Sequence, residues 1–69
     1  MRKRKTGTII SVTVTDDGRT DMVIQGKDNH TYYGRYGMPV KDIFVGRQVS
    51  FDWDYMPQSL TRYASYIKL

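Results

Sequence analysis

The chain has 69 residues, a mass of 8.1 kDa and no cysteine, so it holds one small domain without disulfides or thiolate metal ligands. Lys and Arg number 11 against 7 for Asp and Glu, which gives a formal net charge of +4 at pH 7. No apolar run is long enough to cross a bilayer, and no secretory signal follows the basic start. We therefore expect a cytoplasmic protein that makes no membrane contact.

The composition favours β-structure throughout the chain. Glu is absent, and Ala and Leu are rare, so the best helix-forming residues are nearly missing. Val, Ile, Thr and aromatic residues are abundant, and these side chains fit the pleated, half-buried surface of a sheet. The sequence therefore predicts an all-β protein.

The excess positive charge lies at the N-terminus, in four consecutive basic residues. From Thr6 onward the basic and acidic residues are equal in number. We expect residues 1–6 to form a basic flexible tail and residues 7–69 to form a single barrel domain. The tail is either an electrostatic arm for phosphate-rich partners or a solvated terminus.

Alternating apolar and polar residues, separated by turn residues, predict five strands. In the first, Ile10, Val12 and Val14 share one face. Asp17-Gly18 follows, and an Asp-Gly pair between β-rich segments is a strong hairpin signal, because Gly accepts the positive φ of the turn. The predicted strands span residues 7–15, 20–26, 30–36, 47–55 and 60–69.

The connection between the third and fourth strands is the longest in the chain. Pro39 lacks an amide hydrogen and cannot continue a central strand. Residues 40–45 are too few to distinguish a helical turn from a 3₁₀ piece or an extended connection. An open five-stranded sheet would expose two edges and one face, so closure into a small barrel is favoured. Between an SH3-like barrel and an OB-fold Greek-key barrel, the long connection favours the OB-fold.

The same alternation predicts which residues of the last two strands face the core and which face solvent. Phe51 and Trp53 lie on one side of the fourth strand and are expected in the core, while Asp52 and Asp54 lie on the solvated side. On the fifth strand, Tyr63 shares its face with apolar residues and is a further core candidate.

Several segments carry a resemblance that spans nearly the whole chain. They are Gly7-Thr8-Ile9, Asp17-Gly18, Gly46-Arg47-Gln48-Val49-Ser50-Phe51 and Tyr63-Ala64-Ser65-Tyr66-Ile67-Lys68-Leu69. This pattern is similar to the framework of bacterial cold-shock domains. The resemblance implies a five-stranded OB-fold barrel that binds single-stranded RNA or DNA. Of the family's three aromatic strands, only the third has a counterpart here, at residues 31–36.

The third strand carries the main candidates for binding. By alternation His30, Tyr32 and Tyr36 share one face, and Tyr33 and Arg35 share the other. If the first face is outward, its rings form a platform for stacked bases; if it is inward, the tyrosine rings pack in the barrel. The candidate nucleic-acid-binding residues are His30, Tyr32, Tyr36, Arg35 and Lys27, with Arg62 and Tyr66 as a second patch, and Arg2, Lys3, Arg4 and Lys5 in the tail.

Catalysis has no support in the sequence. His30 is the only histidine, and the chain has neither Cys nor Glu. Asp52 and Asp54 would lie about 7 Å apart on one strand face, but we interpret them as part of a solvated face rather than as a catalytic pair. We therefore expect a protein that is not an enzyme and that has neither a cofactor nor a metal site.

Two functions follow from these expectations. The first is non-catalytic binding of single-stranded RNA or DNA through aromatic stacking and basic residues. The alternative is a protein–protein interaction module that has kept the barrel and lost the nucleic-acid face, since Tyr and Arg are frequent at interface hot spots. A monomer or weak dimer is expected in either case.

Overall fold

The computed structural model describes residues 4–37 and 40–69, which consist of β-strands, turns and irregular connections. The strands are β1 (Arg4–Val14), β2 (Thr20–Gly26), β3 (Thr31–Tyr36), β4 (Gln48–Met56) and β5 (Thr61–Lys68). They form a closed barrel in the order β1-β2-β3-β5-β4. The predicted all-β class and the small five-stranded barrel are therefore confirmed.

The longest strand, β1, belongs to both halves of the barrel. It pairs antiparallel with β2 through its C-terminal half and with β4 through its N-terminal half. β2 also pairs with β3, and β4 pairs with β5, again antiparallel. The barrel closes where β3 and β5 meet in parallel, through the pair Tyr33 and Tyr63. This strand order is compatible with an OB-fold-like barrel.

A β-bulge shifts the alternation of side chains along β1. Ile9 pairs with Ile24 of β2, and Ser11 pairs with the adjacent Val23, so Ile10 is an extra residue in β1. The extra residue places Ile9 in the core and Ile10 on the surface. The predicted shared face of Ile10, Val12 and Val14 is wrong at Ile10, because the bulge moves this residue to the surface. Val12 packs against the core, and Val14 is exposed at the strand end.

A second bulge lies in β5. Tyr66 and Ile67 together stand opposite the single residue Phe51 of β4, and Tyr66 has a φ of 49°. Ile67 packs against the core, whereas Tyr66 is exposed. The core assignment of Tyr63 is wrong for the same reason, since its neighbour Ala64 packs against the core instead.

β1 begins at Arg4, so part of the predicted tail belongs to the barrel. Residues 4–6 pair with β4, and Nη1 of Arg4 lies 3.0 Å from Oδ1 of Asp52. Asp52, expected on a solvated face, is only 9% exposed beside this guanidinium. The flexible tail predicted over residues 1–6 is therefore corrected at its inner end, and residues 1–3 lie outside the described residues.

The turn between β1 and β2 has the predicted hairpin geometry. The amide of Thr15 donates to the carbonyl of Arg19 at 2.8 Å, and the amide of Gly18 donates back to the carbonyl of Thr15 at 3.0 Å. Gly18 has a φ of 87°, which a residue with a side chain rarely adopts. The turn predicted at Asp17-Gly18 is therefore confirmed.

The core lies on the barrel axis and is closed by the long connection. Ile43 of that connection is 5% exposed, and residues 40–47 contain turns and no helix. The amide of Gly46 donates to the carbonyl of Ile9 at 2.8 Å, which fastens the connection to β1. Pro39, expected to end the third strand, lies outside the described residues. The buried apolar side chains are Ile9, Met22, Ile24, Tyr32, Ile43, Val49 and Phe51.

Candidate nucleic-acid interface

The face of β3 that was the leading candidate for base stacking points into the barrel. Tyr32 has no exposed surface, and its ring centroid lies 4.9 Å from that of Phe51. Tyr36 is half-buried, and its hydroxyl donates to the carbonyl of Ile67 at 2.8 Å. A buried ring offers no face to a base, so the stacking role predicted for Tyr32 is wrong, and Tyr36 packs against the core.

The hydroxyl of Tyr32 ends in a polar cluster at the barrel surface. It donates to Oδ2 of Asp28 at 2.6 Å, and Nζ of Lys5 lies 3.0 Å from the same oxygen. The hydrogen bond from Tyr32, aided by Lys5, holds the pKa of Asp28 well below its ordinary value. Burial, together with Asp28, raises the pKa of Tyr32 to about 12. Lys5 also lies 5.3 Å from the centroid of the Trp53 ring, so it is held within the fold.

The opposite face of β3 lines an open groove on the barrel surface, with a cavity volume of about 800 Å³. Its three tyrosines are Tyr33 of β3 and Tyr63 and Tyr66 of β5, which are 48%, 43% and 64% exposed. We call this surface the tyrosine groove. Thr13 and Asp21, next to the β1–β2 turn, line it as well. The groove thus extends across β1, β2, β3 and β5.

Strand register arranges the groove in two transverse rows. Ser11 of β1 pairs with Val23, which pairs with Tyr33, which in turn pairs with Tyr63. The second row contains Thr13, Asp21 and Arg35, paired in that order. Residues two apart on one strand lie about 7 Å apart on the same face, so the charged row runs directly beside the tyrosine row.

One ion pair occupies the charged row. Nε of Arg35 lies 3.0 Å from Oδ1 of Asp21, and the Arg35 side chain is 62% exposed. A cross-strand pair at this exposure adds little to stability, because water screens it. The two charges cancel, so the tyrosine groove is nearly neutral while it still presents a donor and an acceptor to a ligand.

The remaining predicted residues lie away from this groove. Lys27 lines a smaller cavity of about 400 Å³, and Arg62 stacks over Tyr55 with its Cζ 5.5 Å from the ring centroid. His30 is exposed in the turn before β3, where its amide donates to Asp28 at 3.2 Å. Of the tail residues, Arg4 and Lys5 form the ion pairs described above, and Arg2 and Lys3 lie outside the described residues.

Comparisons with known proteins name no family for this chain. No protein-family model, curated protein sequence or solved structure matches it. Within residues 4–37 and 40–69, no three side chains of His, Asp or Glu gather closely enough to hold a metal ion. No helix in the described part of the chain is long and apolar enough to span a bilayer.

Three exposed rings in one groove can stack planar groups, and the adjacent charged pair can hydrogen-bond to their edges. Of the predicted site residues, Tyr66 and Arg35 line this groove. Tyr33 and Tyr63 line it too and were not among them. Alternation along β3 puts Tyr33 on the same face as Arg35, so the sequence contains the signal for Tyr33. Tyr63, in contrast, reaches the surface because of the bulge in β5.

Proposed function

We propose that this protein binds single-stranded RNA or DNA in the tyrosine groove without catalysing a reaction. The observation that carries the proposal is the convergence of Tyr33, Tyr63 and Tyr66 on one open groove of about 800 Å³. Base–aromatic stacking contributes about 1–3 kcal/mol per base, so two or three stacked bases reach micromolar affinity when a few phosphate contacts are added. The proposal includes a cytoplasmic location and a monomer or weak dimer.

The framework residues support a further part of the proposal, that the chain is a divergent relative of cold-shock domains. Gly18 forms the turn after β1, and Val49 and Phe51 of the Gly-x-x-Val-x-Phe segment are buried. The strand order is also compatible with that family's OB-fold. The proposed stacking residues differ from the family's, because β1 and β2 contribute no aromatic ring to the groove.

The proposal is tested by fluorescence anisotropy with labelled ten-nucleotide oligo(dT) and oligo(U), at physiological salt. We expect Tyr33→Ala and Tyr63→Ala each to weaken binding by about 1–3 kcal/mol, because each removes one stacking surface. Tyr55→Ala is the matched control: Tyr55 is 43% exposed, like Tyr63, and it does not line the groove. Its affinity should equal that of the unchanged protein, and circular dichroism checks that every variant is folded.

Equal losses in all three variants would contradict a site in the groove, and no binding to either oligonucleotide would contradict the function itself. The second candidate, a protein-interaction module, would then take precedence. It is favoured by one observation, the mutual neutralisation of Arg35 and Asp21, which leaves the groove without the positive charge typical of nucleic-acid surfaces.

A further inference from the structure

The tyrosine groove holds a carboxylate and a guanidinium directly beside its rings. We propose that Asp21 and Arg35 read the Watson–Crick edge of a guanine base stacked on Tyr33, so that the groove prefers single strands containing guanine. This inference rests on the proposed function and adds base selectivity to it.

The register places the two charged groups where a base edge would lie. Arg35 follows Tyr33 by two residues on β3, and both side chains line the groove. Asp21 pairs with Arg35 across β2 and β3, as Val23 pairs with Tyr33. A base stacked on Tyr33 therefore has the charged pair about 7 Å along the strand from its ring. A purine stacked on the ring, together with one hydrogen bond from its edge, can span that separation.

The donor and acceptor pattern of this pair matches guanine best among the bases. The Watson–Crick edge of guanine offers two adjacent donors, N1–H and the N2 amino group, next to the O6 acceptor. A carboxylate accepts hydrogen bonds through both oxygens, and a guanidinium only donates them. The Arg35–Asp21 contact joins Nε to Oδ1. Oδ2 of Asp21 and the terminal nitrogens of the guanidinium lie outside this contact, and both side chains line the groove, so these atoms are available to a ligand.

The position of Asp21 also argues for base recognition over backbone binding. A carboxylate in a nucleic-acid groove repels phosphates, so it weakens any binding that depends on the backbone alone. The same carboxylate is favourable where it accepts hydrogen bonds from a base edge, because single strands expose these edges. Selectivity is thus the property that Asp21 would add to the tyrosine groove.

Base analogues test the inference on the unchanged protein. The probes are labelled nine-nucleotide oligo(dT) strands whose central base is thymine, adenine, cytosine, guanine, hypoxanthine or 7-deazaguanine. We expect guanine to bind about fivefold or more tighter than the other natural bases. Hypoxanthine, which lacks the N2 amino group, should lose part of this preference. 7-Deazaguanine keeps the whole Watson–Crick edge and should bind as guanine does.

Asp21→Asn tests the residue, with Asp42→Asn as a control that removes the same charge from an exposed loop outside the groove. We expect Asp21→Asn to abolish the guanine preference and to bind plain oligo(dT) more tightly, because a charge that repels phosphates is gone. Asp42→Asn should keep the preference. Thermal melts establish that both variants are folded.

The outcomes separate this inference from the function on which it rests. Oligonucleotide binding that depends on Tyr33 but shows no base preference overturns the inference alone, as does a guanine preference that survives in Asp21→Asn or disappears with 7-deazaguanine. If no oligonucleotide binds, the proposed function fails, and the selectivity proposal fails with it.

Discussion

Neighbouring tyrosines on β3 have opposite environments, and this difference decides what each can do. Tyr32 is buried against Phe51, and its hydroxyl donates to Asp28, while the adjacent Tyr33 is half-exposed in the tyrosine groove. Tyr32 therefore contributes to stability and Tyr33 is available for binding. Side-chain direction, rather than residue type, separates the two roles.

The lowered pKa of Asp28 predicts how the free energy of unfolding depends on pH. Because this pKa is lowered in the folded state, Asp28 stabilises the fold above pH about 4, and that contribution is lost as the pH falls through the lowered value. We expect Asp28→Asn to lower the free energy of unfolding by about 1–2 kcal/mol at pH 7. The difference from the unchanged protein should shrink toward pH 2.

Urea denaturation at pH 7, 4 and 2 measures this dependence. The matched control is Asp54→Asn, which changes an exposed carboxylate on β4. It should leave the free energy of unfolding within about 0.5 kcal/mol of the unchanged protein at pH 7. A constant difference between Asp28→Asn and the unchanged protein across the three pH values would contradict the role assigned to the Asp28 charge.

At the scale of the elements, two bulges decide which residues of β1 and β5 face the core and which lie on the surface. The bulge at Ile10 lets Ile9 and Val12 both face the core, although they are three residues apart. The bulge in β5 does the same for Ala64 and Ile67. Strict alternation cannot place residues three apart on one face, so each bulge explains how its pair of residues reaches the core.

We predict that the N-terminal residues of β1 stabilise the barrel. A chain that starts at Thr6 lacks Arg4 and Lys5, so it loses two ion pairs and leaves Asp52 buried without the guanidinium. We expect the free energy of unfolding to fall by about 2–4 kcal/mol, measured by urea denaturation at neutral pH. The control is the double variant Arg2→Ser/Lys3→Ser, which keeps both ion pairs. Equal stability of the shortened chain would show that these contacts contribute nothing.

For the molecule as a whole, the 11 Lys and Arg residues overstate the number of positive side chains that are available to a ligand. Arg4 and Lys5 are paired with Asp52 and Asp28, and Arg35 is paired with Asp21. Affinity for a polyanion should therefore depend more on stacking than on counterion release. This balance follows from the three-dimensional pairing of charges rather than from their number.

A shallow salt dependence is the corresponding prediction. If two to four phosphates are neutralised, a plot of the logarithm of the oligo(dT) binding constant against the logarithm of salt concentration should have a slope of about −1.4 to −2.8. Anisotropy titrations from 50 to 300 mM salt measure the slope. The Arg2→Ser/Lys3→Ser variant should keep most of its affinity at physiological salt. Binding that vanishes in this variant would assign the affinity to the N-terminal residues instead of the groove.

The sequence by itself determined the all-β class, the five strands and the Asp17-Gly18 turn. These features follow from local properties, namely β-propensity, a period of two residues and the positive φ of Gly18. Strand 20–26 was predicted with the bounds that the structure has. The number of strands and the long connection were enough to favour a small closed barrel.

Only the tertiary structure decided which face of each strand is inside. Both faces of β3 carry tyrosine, so periodicity divides Tyr32 from Tyr33 without saying which is buried. Packing of Tyr32 against Phe51 decides that choice. The bulge that exposes Tyr63 depends on pairing with β4, which no local pattern in β5 encodes. The tyrosine groove is therefore a product of strand pairing, because its rings come from strands that meet only when the barrel closes.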